Sequence, residues 1–147
     1  MAVARRGYSA KPLPEKLGYR AGQRAAFIAL PAELGELADA VPFKSIARKR
    51  RWDAKLAPGT YDLIHAFTTK KAELDGNLAA LQTALVPDGM IWVSWPKRAA
   101  KVATDVTEDQ VREAALRLDL VDMKVAAIDR VWSGLKLVIR KDRRLNR

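Results

Sequence analysis

The chain has no cysteine, and that one absence removes disulfides, thiolate metal sites and cysteine nucleophiles together. It has a single histidine, His65, so a multi-histidine metal centre is excluded as well. No apolar run approaches the roughly 20 residues needed to cross a bilayer. Residues 1–10 are basic but lack the apolar stretch of a signal peptide, so a cytoplasmic protein with no membrane role is expected. Internal repeats and low-complexity segments are also lacking. What remains, at 147 residues with 49% hydrophobic and 30% charged content, is the composition of one globular domain with a real core.

Charge of one sign is concentrated. Of the net +10, half lies in residues 44–55, where Lys44, Arg48, Lys49, Arg50, Arg51 and Lys55 face only Asp53. The other half lies in residues 136–147, where Lys136, Arg140, Lys141, Arg143, Arg144 and Arg147 face only Asp142. Two basic segments on an otherwise neutral chain suit contact with a polyanion, and Arg48, Lys49, Arg50, Arg51, Arg143 and Arg144 are the candidate nucleic-acid contacts. The competing reading is a solvated surface, because interleaved aromatics are missing apart from Trp52.

Strand and helix patterns alternate along the chain. Residues 1–16, with Pro12 and Pro14, read as an N-terminal arm, 17–140 as the core and 141–147 as a basic tail. Residues 25–30 form a continuous apolar run, as in a strand covered on both faces. Leu34, Leu37, Ala38 and Val41 follow at helical spacing, with Glu33 and Glu36 favouring the dipole at the start. Residues 43–47 are a weaker strand, and 48–60 a loop with a Pro58-Gly59 turn.

Residues 61–67 (YDLIHAF) form a strand. Thr68 and Thr69 are positioned to cap a helix whose Leu74, Leu78, Leu81 and Leu85 make one stripe, ended by Pro87-Asp88-Gly89. Residues 90–95 (MIWVSW) give the next strand. Thr107 with Gln110 is a capping box ahead of Val111, Ala114, Ala115 and Leu118. Strands at 121–129 and 135–140 close the chain. Their connection is too short for a crossover helix, so they must be antiparallel, whereas the earlier strands are joined as parallel ones.

The stretches GYSAKPLPEKLGYRAGQR, WPK, TDVTED and WSGLKLV resemble an uncharacterised bacterial domain-of-unknown-function family, over roughly residues 7–141. The resemblance implies an α/β Rossmann-like three-layer sandwich similar to class I S-adenosylmethionine methyltransferases, mostly parallel and ending in an antiparallel hairpin. It supplies no catalytic residue. Two features depart from a working cofactor site. Leu30-Pro31-Ala32 stands where a glycine-rich loop would let backbone approach the cofactor. Arg50 and Arg51 stand near where an acidic residue would receive ribose hydroxyls. The expectation is therefore no cofactor and no catalytic residue.

If a ligand binds, it binds beyond the carboxyl ends of the strands. That rim draws together Thr68, Trp95, Lys97, Thr104, Asp105, Trp132 and Ser133, with Trp132, Ser133 and Gly134 in the last hairpin turn. Trp95 and Trp132 would form an aromatic wall for a small anionic or planar ligand. The alternative is that these residues plug the sheet end and make its turns. His65, inside a strand with no nucleophile placed near it, reads as a packed or hydrogen-bonded core histidine. Three functions stay open: a non-catalytic methyltransferase-like binding or regulatory module, a small-ligand protein or enzyme using the rim, and a nucleic-acid-associated protein.

Overall fold

The computed structural model describes residues 11–144. The first ten residues of the arm and the last three of the tail lie outside the described residues, as does part of the GYSAKP stretch. The core is a six-stranded sheet in the order β2-β1-β3-β4-β6-β5. β1 (Arg24–Ile28), β2 (Ser45–Lys49), β3 (Tyr61–Phe67) and β4 (Leu85–Pro96) pair in parallel. β6 (Trp132–Ile139) is antiparallel to both β4 and β5 (Leu120–Ala127), so β5 points the same way as the first four strands. Among the described residues, no helix is long and apolar enough to cross a membrane.

Each face of the sheet has its own core. On one, α2 (Lys71–Ala84) and α3 (Glu108–Leu116) press Leu74, Leu78, Leu81, Val111 and Ala115 onto Ile64, Ile91, Val93 and Leu137. On the other, Leu17, Tyr19, Leu34 and Leu37 cover Phe27, Phe67, Trp92 and Trp132. Burying both faces explains why β1, β3 and β4 read as continuous apolar runs. The short α1 (Leu13–Lys16) and α4 (Lys141–Arg144) bracket this core.

The expected mixed sheet and its closing hairpin are present, and the capping box is formed. Thr107 Oγ1 accepts the Gln110 N–H at 3.2 Å while Gln110 Oε1 accepts the Thr107 N–H at 3.0 Å. Several local expectations need correction. Residues Ala32–Asp39 form a 3-10 helix, kinked at Leu34, in place of an α-helix. The Leu34/Leu37 spacing of three serves that winding equally well, and no side chain caps the start to favour the wider one. Arg48 and Lys49 belong to β2, not to a loop. Because β2 is an edge strand carrying outward charge, its apolar pattern is too weak to place it.

The Pro87-Asp88-Gly89 stretch lies inside β4 instead of ending a helix, and Leu85 opens that strand. Tyr61 pairs with Leu85 but Leu63 with Met90, so the segment between bulges out. Gly89 is required there, since a Cβ would sit 2.9 Å from the Tyr61 carbonyl oxygen. Trp132, Ser133 and Gly134 are strand residues as well, in register with Pro96, Trp95 and Ser94. The turn itself is made by Asp129, whose Oδ1 accepts the N–H groups of Val131 and Trp132 at 2.8 and 2.7 Å.

Candidate functional site

The carboxyl ends of β1, β2, β3 and β4 meet one edge of the sheet, and the strand order reverses at β1, between β2 and β3. In open sheets of this kind ligands enter at such a reversal. Three residues define this edge here. Ala29 follows β1 with φ of 57° and gives its N–H to the Lys49 carbonyl at 2.7 Å, tying the end of β1 to the end of β2. Pro31 follows with no N–H to offer. Near the end of β3, Trp52 is buried at 1% exposure, its Nε1 donating to the Phe67 carbonyl at 2.8 Å. Trp52 therefore packs as core beside the reversal instead of standing as a free platform.

The cations beside this edge are set by register. Phe27 pairs with Arg48 and Ile28 with Lys49, and Arg50 follows directly. A cleft of about 240 Å³ is lined there by Phe27, Ala29, Leu30, Arg48, Lys49 and Arg50. Arg51 is different, because a two-point contact with Asp53 at 2.9 and 2.7 Å neutralises it and holds the Asp53 carboxyl below its ordinary range. The second basic segment lies elsewhere. β6 ends at the opposite edge of the sheet, and four strand spacings, about 19 Å, separate β6 from β2. There Arg144 Nε donates to the Ile139 carbonyl at 2.7 Å, and Arg143 lies 3.9 Å from both Asp119 and Asp142. The two +5 segments do not form one surface.

The rim residues named from sequence are present at the carboxyl edge, but the side chains of Thr68, Lys97, Thr104 and Asp105 are engaged by Glu73 and by backbone groups. Thr68 Oγ1 donates to Glu73 at 2.6 Å and accepts the Lys70 N–H at 3.0 Å. Asp105 accepts the Lys71 N–H at 2.7 Å, so α2 starts at Lys71 and is capped from a remote loop, not by Thr69. Thr104 donates to the Thr69 carbonyl at 2.9 Å. Lys97 donates from Nζ to the Asp129 carbonyl at 2.7 Å and locks the β5–β6 turn. Trp95 and Trp132 belong to the cores on opposite faces of the sheet, so they do not build one aromatic wall. Ser133 stands between Trp95 and Ala127 in the register. Beside Trp95 a cavity of about 350 Å³ is lined by Pro96, Arg98, Thr104, Thr107 and Glu108. Trp132 Nε1 is the one buried side-chain donor or acceptor without a partner among the described residues.

His65 has a neighbour that sequence logic did not find. Its Nδ1 lies 2.6 Å from Tyr19 Oη and its Nε2 2.8 Å from Ser94 Oγ, and all three residues are buried. A neutral imidazole donates from one nitrogen and accepts at the other, so a Tyr–His–Ser chain satisfies the ring. Phe67 stacks on the ring at 4.3 Å. Burial pushes the imidazole pKa down to about 3 and the Tyr19 phenol well up. With Ser94 at 0% exposure no substrate reaches the pair, so it is a core network and not a nucleophile with its base. A signal was present: His65 and Ser94 are the polar breaks in two neighbouring apolar strands, two register steps apart on one face.

No family model matches the chain, and no curated protein does. Solved structures do. An S-adenosylmethionine-dependent methyltransferase from Mesorhizobium loti superposes with a TM-score of 0.59 at 12% identity, over 85% of this chain and 94% of the other. The fold is that of the methyltransferases. A S-adenosylmethionine-dependent methyltransferase from Aquifex aeolicus gives 0.60 at 12% identity, over 85% and 86%. The phosphoethanolamine N-methyltransferase 2 of Haemonchus contortus, in complex with phosphomonomethylethanolamine and S-adenosylhomocysteine, gives 0.65 at 10% identity, over 86% and 51%. At such identities the methyltransferase likeness is one of fold, and chemistry has to be argued from this chain's own residues.

Proposed function

We propose that the protein is a non-catalytic methyltransferase-like binding or regulatory module, in the uncharacterised bacterial domain family that its motifs resemble. One observation carries this reading. Where the fold would need a carboxylate to receive ribose hydroxyls beside the end of β1, the register puts Lys49 and then Arg50. A cationic sulfonium ligand gains nothing from that environment, and at the loop Pro31 has no N–H while the Ala29 N–H is already given to Lys49. The residues present do not fit S-adenosylmethionine. Titration calorimetry with S-adenosylmethionine and S-adenosylhomocysteine tests the reading. It predicts no binding tighter than about 1 mM, and micromolar affinity for either compound would overturn it.

A second reading has its own observation, the 350 Å³ cavity beside Trp95 at the end of β4. Its volume lies in the range of small-molecule sites, and Arg98 offers an anion a cation beside Glu108, whose carboxylate is already paired with Arg112. A thermal-shift screen of carboxylates and phosphorylated metabolites is the test. Stabilisation that disappears in Arg98→Ala supports a rim ligand, and stabilisation that persists in that variant counts against it.

A further inference from the structure

In the cleft at the ends of β1 and β2, unlike at Arg51 or at the distal Arg143 and Arg144, no group among the described residues neutralises the cations. Among the described residues, the side chains of Arg48, Lys49 and Arg50 have no carboxylate or other hydrogen-bond partner, whereas the adjacent Arg51 is paired with Asp53. The distal segment is again different, since Arg143 and Arg144 already have protein partners. Along β2, Arg48 lies on one face and Lys49 on the other, with Arg50 directly after the strand end, and the β1–β2 pairing and the Ala29-to-Lys49 bond fix their positions at the cleft. A concave wall with charge of one sign concentrates counter-ions in front of it.

We propose that this cleft binds a small phosphate-bearing molecule. Arg48 and Arg50 supply planar forks that match phosphate oxygens in pairs, and Lys49 adds a point charge at the strand end. Ala29 and Leu30 give an apolar wall for the organic part. At about 240 Å³ the cleft lies below the usual range of drug-sized pockets, which favours a phosphate or pyrophosphate with a small attached group. Nucleic acid is the less favoured source of the phosphate. No aromatic is offered for base stacking, because Phe27 and Trp52 are buried at 0% and 1% exposure. The second basic segment that would lengthen a nucleic-acid track lies at the opposite edge of the sheet.

The inference rests on the reading that this edge no longer takes S-adenosylmethionine, and the test separates the two. Inorganic phosphate, pyrophosphate, the four nucleoside 5′-monophosphates, a single-stranded RNA oligonucleotide and S-adenosylmethionine are each titrated into the full chain by calorimetry and thermal shift. The expected result is that pyrophosphate or a nucleotide binds, and that Arg48→Gln/Arg50→Gln weakens it about tenfold or more. Arg48→Lys should retain part of the affinity, and Arg143→Gln/Arg144→Gln should leave it unchanged. Circular dichroism confirms that the variants fold. The proposal is overturned if no small phosphate binds tighter than about 1 mM, if the distal double variant loses as much affinity as the cleft variant, or if only the RNA binds. Micromolar binding of S-adenosylmethionine would instead overturn the preceding reading. Failure of both sets of ligands overturns the phosphate proposal and leaves that reading standing.

Discussion

Acid should destabilise this protein through its one histidine, by an amount that can be calculated. Among the described residues, the groups around the His65 ring are Tyr19, Phe27, Phe67, Trp92 and Ser94, with no carboxylate among them. A proton added to the ring would oblige both hydroxyls to accept and leave a buried charge with no counter-ion. The folded-state pKa is therefore about 3, against 6.5 in the unfolded chain. A depressed folded pKa means that the unfolded state takes up the proton first. The stabilisation is present above pH about 6.5 and is lost progressively as pH falls towards 3. At about 1.4 kcal/mol per unit, the whole loss is about 5 kcal/mol, of which about 3 kcal/mol has gone by pH about 4.5.

Carboxylates titrate over the same acid range, so the assay must isolate the imidazole. Urea unfolding at a series of pH values is measured for the wild type and for His65→Gln, which keeps polar atoms in the site without a titrating ring. Both proteins share the carboxylate contribution, and the difference between the two curves is the histidine's. That difference should shrink by about 3 kcal/mol between pH 7.5 and 4.5. Because there is only one histidine, its imidazole resonances can also be followed without assignment ambiguity. A folded-state midpoint near 6.5, or parallel stability curves for the two proteins, would refute the buried neutral ring.

The same network makes Gly134 irreplaceable, because a Cβ there would lie 2.9 Å from Ser94 Oγ and 3.1 Å from Trp92 Cε3. Gly134→Ala should lower stability by about 1–3 kcal/mol in denaturant unfolding, and adding Ser94→Ala should recover part of it, giving a non-additive cycle. Asp105→Ala removes the acceptor of the first α2 amide and should cost about 0.5–2 kcal/mol; no loss of melting temperature would show that Asp105 is not a structural cap. Lys124 and Lys136 face each other across β5 and β6, and desolvation, then Lys124 and Arg20, depress the Lys136 pKa. Lys136→Glu should therefore raise stability by about 0.2–1 kcal/mol, with the gain shrinking in high salt; destabilisation at low salt would contradict that account.

The sheet was legible because burial on both faces writes itself into a chain as unbroken apolar runs, and YDLIHAF and MIWVSW are such runs. β2 is hard to place from sequence for the complementary reason. An edge strand needs charge on its open side, and the residues that protect it, Arg48 and Lys49, erase the pattern by which it would be read. The rim shows a different limit. Lys97, Asp105 and Thr104 were correctly brought to one edge, yet their hydrogen-bond partners are backbone groups of Asp129, Lys71 and Thr69, and backbone groups carry no sequence signature. Trp132 reads as a turn residue in the sequence, with serine and glycine after it. Gly134 in fact makes room inside a strand for Ser94, which a reading of turn composition cannot distinguish.

The same reasoning ranks the candidate ligand residues. A polar side chain satisfied by its own chain must give up that bond before it can hold a ligand, at a cost of about 1–3 kcal/mol for each group left unpaired. Lys97, Asp105, Thr68 and Thr104 all carry that cost. Arg48 and Arg50 do not, because no intramolecular bond has to break. The residues most conspicuous in the sequence are thus the least available for binding. The arginines that read as a solvated loop are the ones whose charge the fold leaves unspent.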